Sequence, residues 1–100
     1  MAEKTMGREE LQGIREQIVH TAELLYQNRA EGMNEAVALL GVIQQIGNQC
    51  IAYSADMQMP VIQIIKHLIE AYQTSNVLGL ADALYYETTE IVDFCMARGE

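Results

Sequence analysis

One potential metal ligand falls in each of four helix-length stretches of this chain: His20, Cys50, His67 and Cys95. Four such donors from four helices suit a tetrahedral zinc site, provided all of them come within about 2–2.3 Å of one ion. The spacing argues against it. In an antiparallel bundle His20 is level with about residue 40, so it lies roughly 15 Å from the level of Cys50. His20 also sits among Glu16 and Glu23, and His67 among Lys66 and Glu70, on polar stripes. Both histidines are therefore expected to be solvent-exposed and unliganded. A di-iron carboxylate bundle needs Glu-x-x-His on two helices, but Gln17 and Ile64 stand three residues before the histidines. Neither histidine has a serine or cysteine at helical spacing on its own face. Phosphate-loop, dinucleotide-binding and metallohydrolase motifs do not occur. The expectation is a protein that is not an enzyme and carries no metal or other cofactor.

Cys50 and Cys95 both belong to apolar stripes, and the connections place both near the bundle end that holds residues 54–59. They are candidates for neighbours. Two packed thiols are the default, because cysteine is among the most buried residue types. A disulfide would require Cα atoms about 4.4–6.8 Å apart and an oxidising setting. Glu87 is the one acid that interrupts an apolar row, between Leu84 and Ile91. A lone buried carboxylate is too costly to keep, so it needs a base. If the first and last helices run antiparallel with equal rise, their levels pair where residue numbers add to roughly 104. That puts Glu87 within a turn of Arg15, whose stem can lie along the core while its guanidinium reaches out. An Arg15–Glu87 ion pair with a structural role is expected.

These residues need elements to hold them, and the apolar spacing supplies four. Segments 9–27, 35–53, 61–73 and 77–95 repeat apolar residues every three or four positions, the period of a helix with one buried face. The stripes are Leu11/Ile14/Ile18/Ala22/Leu25, then Ala36/Leu39/Leu40/Ile43/Ile46/Cys50, then Val61/Ile64/Leu68 with a second row Ile62/Ile65/Ile69/Tyr72 beside it, and last Val77/Leu80/Ala81/Leu84/Thr88/Ile91/Cys95. Thr89 is assigned to the outer face of the last helix. Gly32 is suited to close the first helix in the left-handed conformation, and Gly47 to let two helices approach closely. Pro60 fits a first helical turn, with Ser54 or Asp56 as capping residues before it. Ser75 or Asn76 would cap the last helix. Alternation with period two is absent. The parsimonious fold is all-α, an antiparallel up-down-up-down four-helix bundle formed by one domain over 1–100, with 1–8 a flexible N-terminal segment.

Composition narrows the partners. Fourteen acidic against six basic residues give a formal charge of −8, a field that repels phosphate backbones and anionic membrane surfaces. No apolar run reaches the ~18–20 residues of a membrane span. The polar N-terminus lacks the apolar stretch of a signal peptide, so a cytoplasmic location is expected.

The stretch Asn76-Val77-Leu78-Gly79-Leu80-Ala81-Asp82-Ala83-Leu84-Tyr85-Tyr86-Glu87 resembles the end of a family of small helical domains from clostridial-type bacteria. In that family a leucine-alanine-aspartate-leucine-leucine run precedes a tyrosine-glutamate pair. The positions here read Leu80-Ala81-Asp82-Ala83-Leu84 and Tyr86-Glu87, while Thr88-Thr89 replaces aliphatic residues. Upstream, from Glu31 to Tyr72, the likeness is one of hydrophobic pattern. Relatives that accompany motility genes imply a cytoplasmic adaptor or chaperone, and the resemblance implies no catalytic residue.

The second and third helices carry more apolar surface than one buried face requires. Val37, Val42 and Ile62 are the clearest surplus, and tyrosines of the kind enriched at interfaces add to it. A non-catalytic protein-interaction module that self-associates, as a homodimer, is the leading expectation. A small-ligand or metal-binding regulatory bundle is the alternative, resting on Glu87 and the two cysteines.

Overall fold

A computed structural model describes residues 5–98. Four helical rods account for most of that span, and no strand occurs among the described residues. They are α1 (Arg8–Tyr26), α2 (Glu31–Tyr53), α3 (Gln58–Gln73) and a composite rod, α4. The last is α-helical over Val77–Asp82, π-helical over Ala83–Thr88 and α-helical again over Thr89–Arg98. Contacts at matching levels run in opposite senses along α1 and α4, where Arg15 meets Asp93 and Tyr26 meets Asp82. The packing of α1 on α2, α2 on α3, and α4 on both α1 and α3 is compatible with the up-down-up-down order.

The core is built from the expected stripes. Leu11, Ile18, Leu25, Ile43, Ile46, Leu68, Leu80, Leu84 and Ile91 are buried to within about a hundredth of their surface, each contributing roughly 1.5–3 kcal/mol relative to exposure. Gly47 allows α2 and α3 to close on one another. A Cβ there would lie 2.5 Å from Val61 Cγ1.

The turns depart from expectation in instructive ways. Asn28, not Gly32, takes the left-handed conformation after α1, at φ 57°. The Arg29 amide then donates to the Leu24 carbonyl and the Asn28 amide to that of Leu25, both at 2.9 Å, a Schellman closure. Gly32 is instead a buried residue in the first turn of α2, where a Cβ would come within 2.9 Å of the Leu25 side chain. Its job is close approach. Ser75, at φ 55°, closes α3 in the same way, with Asn76 N–H bonded to Ala71 O at 2.8 Å. Asn76 caps α4 as expected, its side-chain oxygen accepting from the Gly79 amide at 3.0 Å. Neither Ser54 nor Asp56 caps α3. A 3-10 turn over Ala55–Met57 feeds that helix directly, and Pro60 sits in its first turn.

Of the N-terminal segment expected to be flexible, residues 5–8 are described, and α1 starts at the last of them. Residues 1–4 of that segment lie outside the described residues. Met6, however, is buried, and its amide and carbonyl are held by the Gln49 side chain at 2.9 and 3.1 Å. On α4, the wide π turn advances fewer degrees per residue than an α-helix, so positions downstream lag. This brings Thr89 inward to 6 % exposure, where the regular spacing had it facing solvent. Thr88 and Thr89 answer carbonyls around this turn: Thr88 Oγ1 donates to Ala83 O at 2.9 Å and Thr89 Oγ1 to Tyr85 O at 2.6 Å. No described helix is long and apolar enough to cross a membrane.

Candidate functional site

The expected Arg15–Glu87 pair gives way to other partners for both residues. Arg15 Nε donates to Asp93 Oδ1 at 2.7 Å, and its Nη2 to Oδ2 at 3.4 Å. Glu87 turns to α3 and meets His67, Oε1 to Nδ1 at 2.8 Å. The correction has two causes. The Arg15–Asp93 and Tyr26–Asp82 contacts set the facing levels of α1 and α4 about one helical turn away from the equal-rise estimate. Glu87 also lies within the π turn, which faces α3 as well as α1. Hydrogen bonding to Asp93 raises the Arg15 pKa further above its usual value. Near the top of the same helix pair, Tyr26 donates to Asp82 at 2.5 Å and packs edge-on to Tyr85, ring centres 6.2 Å apart. Burial first, and the bond to Asp82 second, push the Tyr26 phenol up to about 12.

Between α3 and α4 lies an open cleft of mixed character, about 410 Å³, lined by His67, Glu70, Thr74, Asn76 and Glu87 together with Ala71 and Ala83. Glu87 occupies Nδ1 of the imidazole, leaving Nε2 as its remaining donor or acceptor. This is a held histidine without a serine or cysteine nucleophile lining the cleft. His20 and His67 are both exposed. Among the described residues, no three or more His, Cys, Asp and Glu side chains converge on a cation position.

The two cysteines do come together. Cys50 Sγ and Cys95 Sγ are 2.6 Å apart, both fully buried. Each also reaches a carbonyl on the opposite helix, Cys50 to Ile91 O at 3.2 Å and Cys95 to Ile46 O at 3.4 Å. The bond to Cys95, aided by burial, raises the Cys50 thiol, while donation from Cys50 lowers Cys95.

The outer face of α3 leaves apolar surface open. Ile62, Ile65 and Ile69 fall at helical spacing on one side, and Ile62 keeps 48 % of its surface in solvent. With Lys66 and Glu70 they line a shallow, mostly apolar groove of about 340 Å³. Lys66 Nζ stands 3.9 Å from Glu70 Oε1 along the rim. Val37 on α2 is exposed, whereas Val42 is half-buried and packs against the core. The three-four spacing in the sequence already gives Ile62, Ile65, Ile69 and Tyr72 as a second apolar row of this helix, with Ile62 as its candidate interface residue. The sequence carries no signal for the partner of Arg15, which follows from the level at which α1 and α4 face, or for that of Glu87, which sits in the π turn.

Comparison of the chain with protein-family models, curated proteins and solved structures finds no match.

Proposed function

We propose that this chain is a non-catalytic protein-interaction module that self-associates through the outer face of α3. One observation carries the reading: Ile62 and Ile69 are exposed on either side of the half-buried Ile65, beside a charged rim of one Lys and one Glu. Two copies related by a two-fold axis would lay this face against itself with the helices antiparallel. Such an axis returns each flank of the row to the same flank of the other copy. Lys66 then comes beside Glu70 of the partner subunit, and Glu70 beside the partner's Lys66, so the rim is complementary to itself. One helix face per copy makes a small interface, below about 1,200 Å² in total, which points to a weak, reversible dimer. The acidic balance favours protein over nucleic acid as partner. A cytoplasmic adaptor or chaperone role, associated with motility, belongs to the same reading and is supported by the resemblance of the Leu80–Glu87 stretch.

Sedimentation equilibrium over a wide concentration range tests it. The wild-type chain is expected to pass from monomer to dimer, and Ile62→Asp with Ile69→Asp to stay monomeric with unchanged helical circular dichroism. A wild-type chain that remains monomeric at the highest concentration overturns the proposal. The second reading, a small-ligand or metal-binding regulatory bundle, is favoured by the cleft around His67 and Glu87. Metal analysis of the purified protein, and a thermal shift that depends on His67, would distinguish it.

A further inference from the structure

The cysteine pair sits apart from the proposed interaction face and has its own geometry. Two thiols carry two hydrogens, yet three contacts surround them: one Sγ to Sγ, and one from each sulfur to a carbonyl across the helix pair. If both hydrogens go to the carbonyls of Ile91 and Ile46, the sulfurs face each other with none between. Their separation of 2.6 Å is then within about 0.6 Å of a covalent S–S bond. Neither side chain has solvent to turn towards, and each is held on the other by its neighbours in the core.

We propose that Cys50 and Cys95 form a disulfide-closing site, a dithiol that an oxidant of the peroxide class converts to an intramolecular disulfide joining α2 to the end of α4. The step balances. Taken through Cys95, the thiolate sulfur attacks a peroxide oxygen and becomes a sulfenic acid, and the displaced hydroxide takes up the proton that Cys95 gave. The Cys50 sulfur then attacks the Cys95 sulfur, and the Cys50 proton leaves with the sulfenic hydroxyl as water. Hydrogen peroxide is reduced to two waters while the two thiols are oxidised by two electrons. Both cysteines lie in the last turn of an α-helical stretch, Cys50 three residues before the end of α2 and Cys95 three before Arg98. Helix ends open locally at low cost, and such an opening admits a molecule as small as peroxide.

The bridge would close a loop of about 45 residues, which in the chain-entropy account restricts the unfolded state substantially. The test treats the reduced full chain with hydrogen peroxide, then measures intact mass and maps peptides without reduction. The expected result is loss of two hydrogens and a peptide linking Cys50 to Cys95. The melting temperature should rise by roughly 10 °C, an increase that a thiol reductant reverses. In Cys50→Ser, dimedone should trap a sulfenic acid on Cys95. Addition of oxygen to either sulfur of the wild-type chain without a cross-link overturns the proposal, as do cross-links only between copies, or two thiols that stay free while the surface methionines oxidise. Because the wild-type chain gives the decisive reading, a variant that fails to fold does not remove the test.

Discussion

Arg15 and Asp93 form the best-aligned ion pair on the α1–α4 seam, but their side chains keep 36 % and 50 % of their surface in solvent. Water and salt screen such a pair, so Arg15→Ala is expected to cost no more than about 1 kcal/mol in urea unfolding. A double-mutant cycle with Asp93→Ala should show a coupling of similar size, and none with Glu87→Ala. Tyr26 offers a sharper signature, because its phenol stands at about 12 in the fold against an ordinary 10.0. Below pH 10 the folded and unfolded chains both hold this proton, and the native preference is fully expressed. From pH 10 to 12 the unfolded chain releases it first, so stability is lost as pH rises through that window. Spectroscopic titration should show one tyrosine ionising late. Tyr26→Phe should remove that late step and flatten the alkaline fall in melting temperature.

Two glycines of α2 separate backbone propensity from packing. Gly41 is exposed and a Cβ there meets nothing within 4 Å, so Gly41→Ala should stabilise by roughly 0.5–1 kcal/mol. At Gly47 the same methyl runs into Val61, a buried and rotationally stiff side chain. Overpacking there should outweigh the propensity gain and lower stability by about 1–2 kcal/mol, read from the urea midpoint. The four rods were legible in sequence because their apolar residues keep a period near 3.6. So were the Gly47 approach and the Asn76 cap, since each needs only local chemistry. What escaped was anything that depends on an irregular turn. Asn28 and Gly32 are both capable of closing a helix, and only the position of Leu25 decides which does. The π turn leaves no periodic mark, because Leu84, Thr88 and Ile91 suit a regular stripe as well, and with it went the partner of Glu87.

At the scale of the whole molecule, a formal charge of −8 sets copies of this chain against each other. That repulsion reaches beyond the rim pair of Lys66 and Glu70, so association through α3 should tighten as salt rises from about 10 to 150 mM, where the Debye length falls from about 30 to 8 Å. Sedimentation at the two salt concentrations checks this. Weakening with salt would mean that the rim pairs, not the isoleucine row, hold the copies together. The candidate site was only half readable beforehand: Ile62 and Val37 announce themselves as surplus apolar residues, but whether surplus surface is covered depends on where neighbouring helices stop. The π segment, finally, has a consequence for the permitted length of the chain. A wide turn holds one residue more than the helix on either side requires. Removing a residue inside Ala83–Thr88 would let the rod relax to an ordinary helix, with Asp93 and Cys95 still at their stations. Removing one between Thr89 and Asp93 would swing everything beyond it by about 100° and strip both of their partners. A single-residue deletion scan along the last rod, scored by retained fold, should therefore show one tolerant window, so that this protein has a slot where its length can change without its shape.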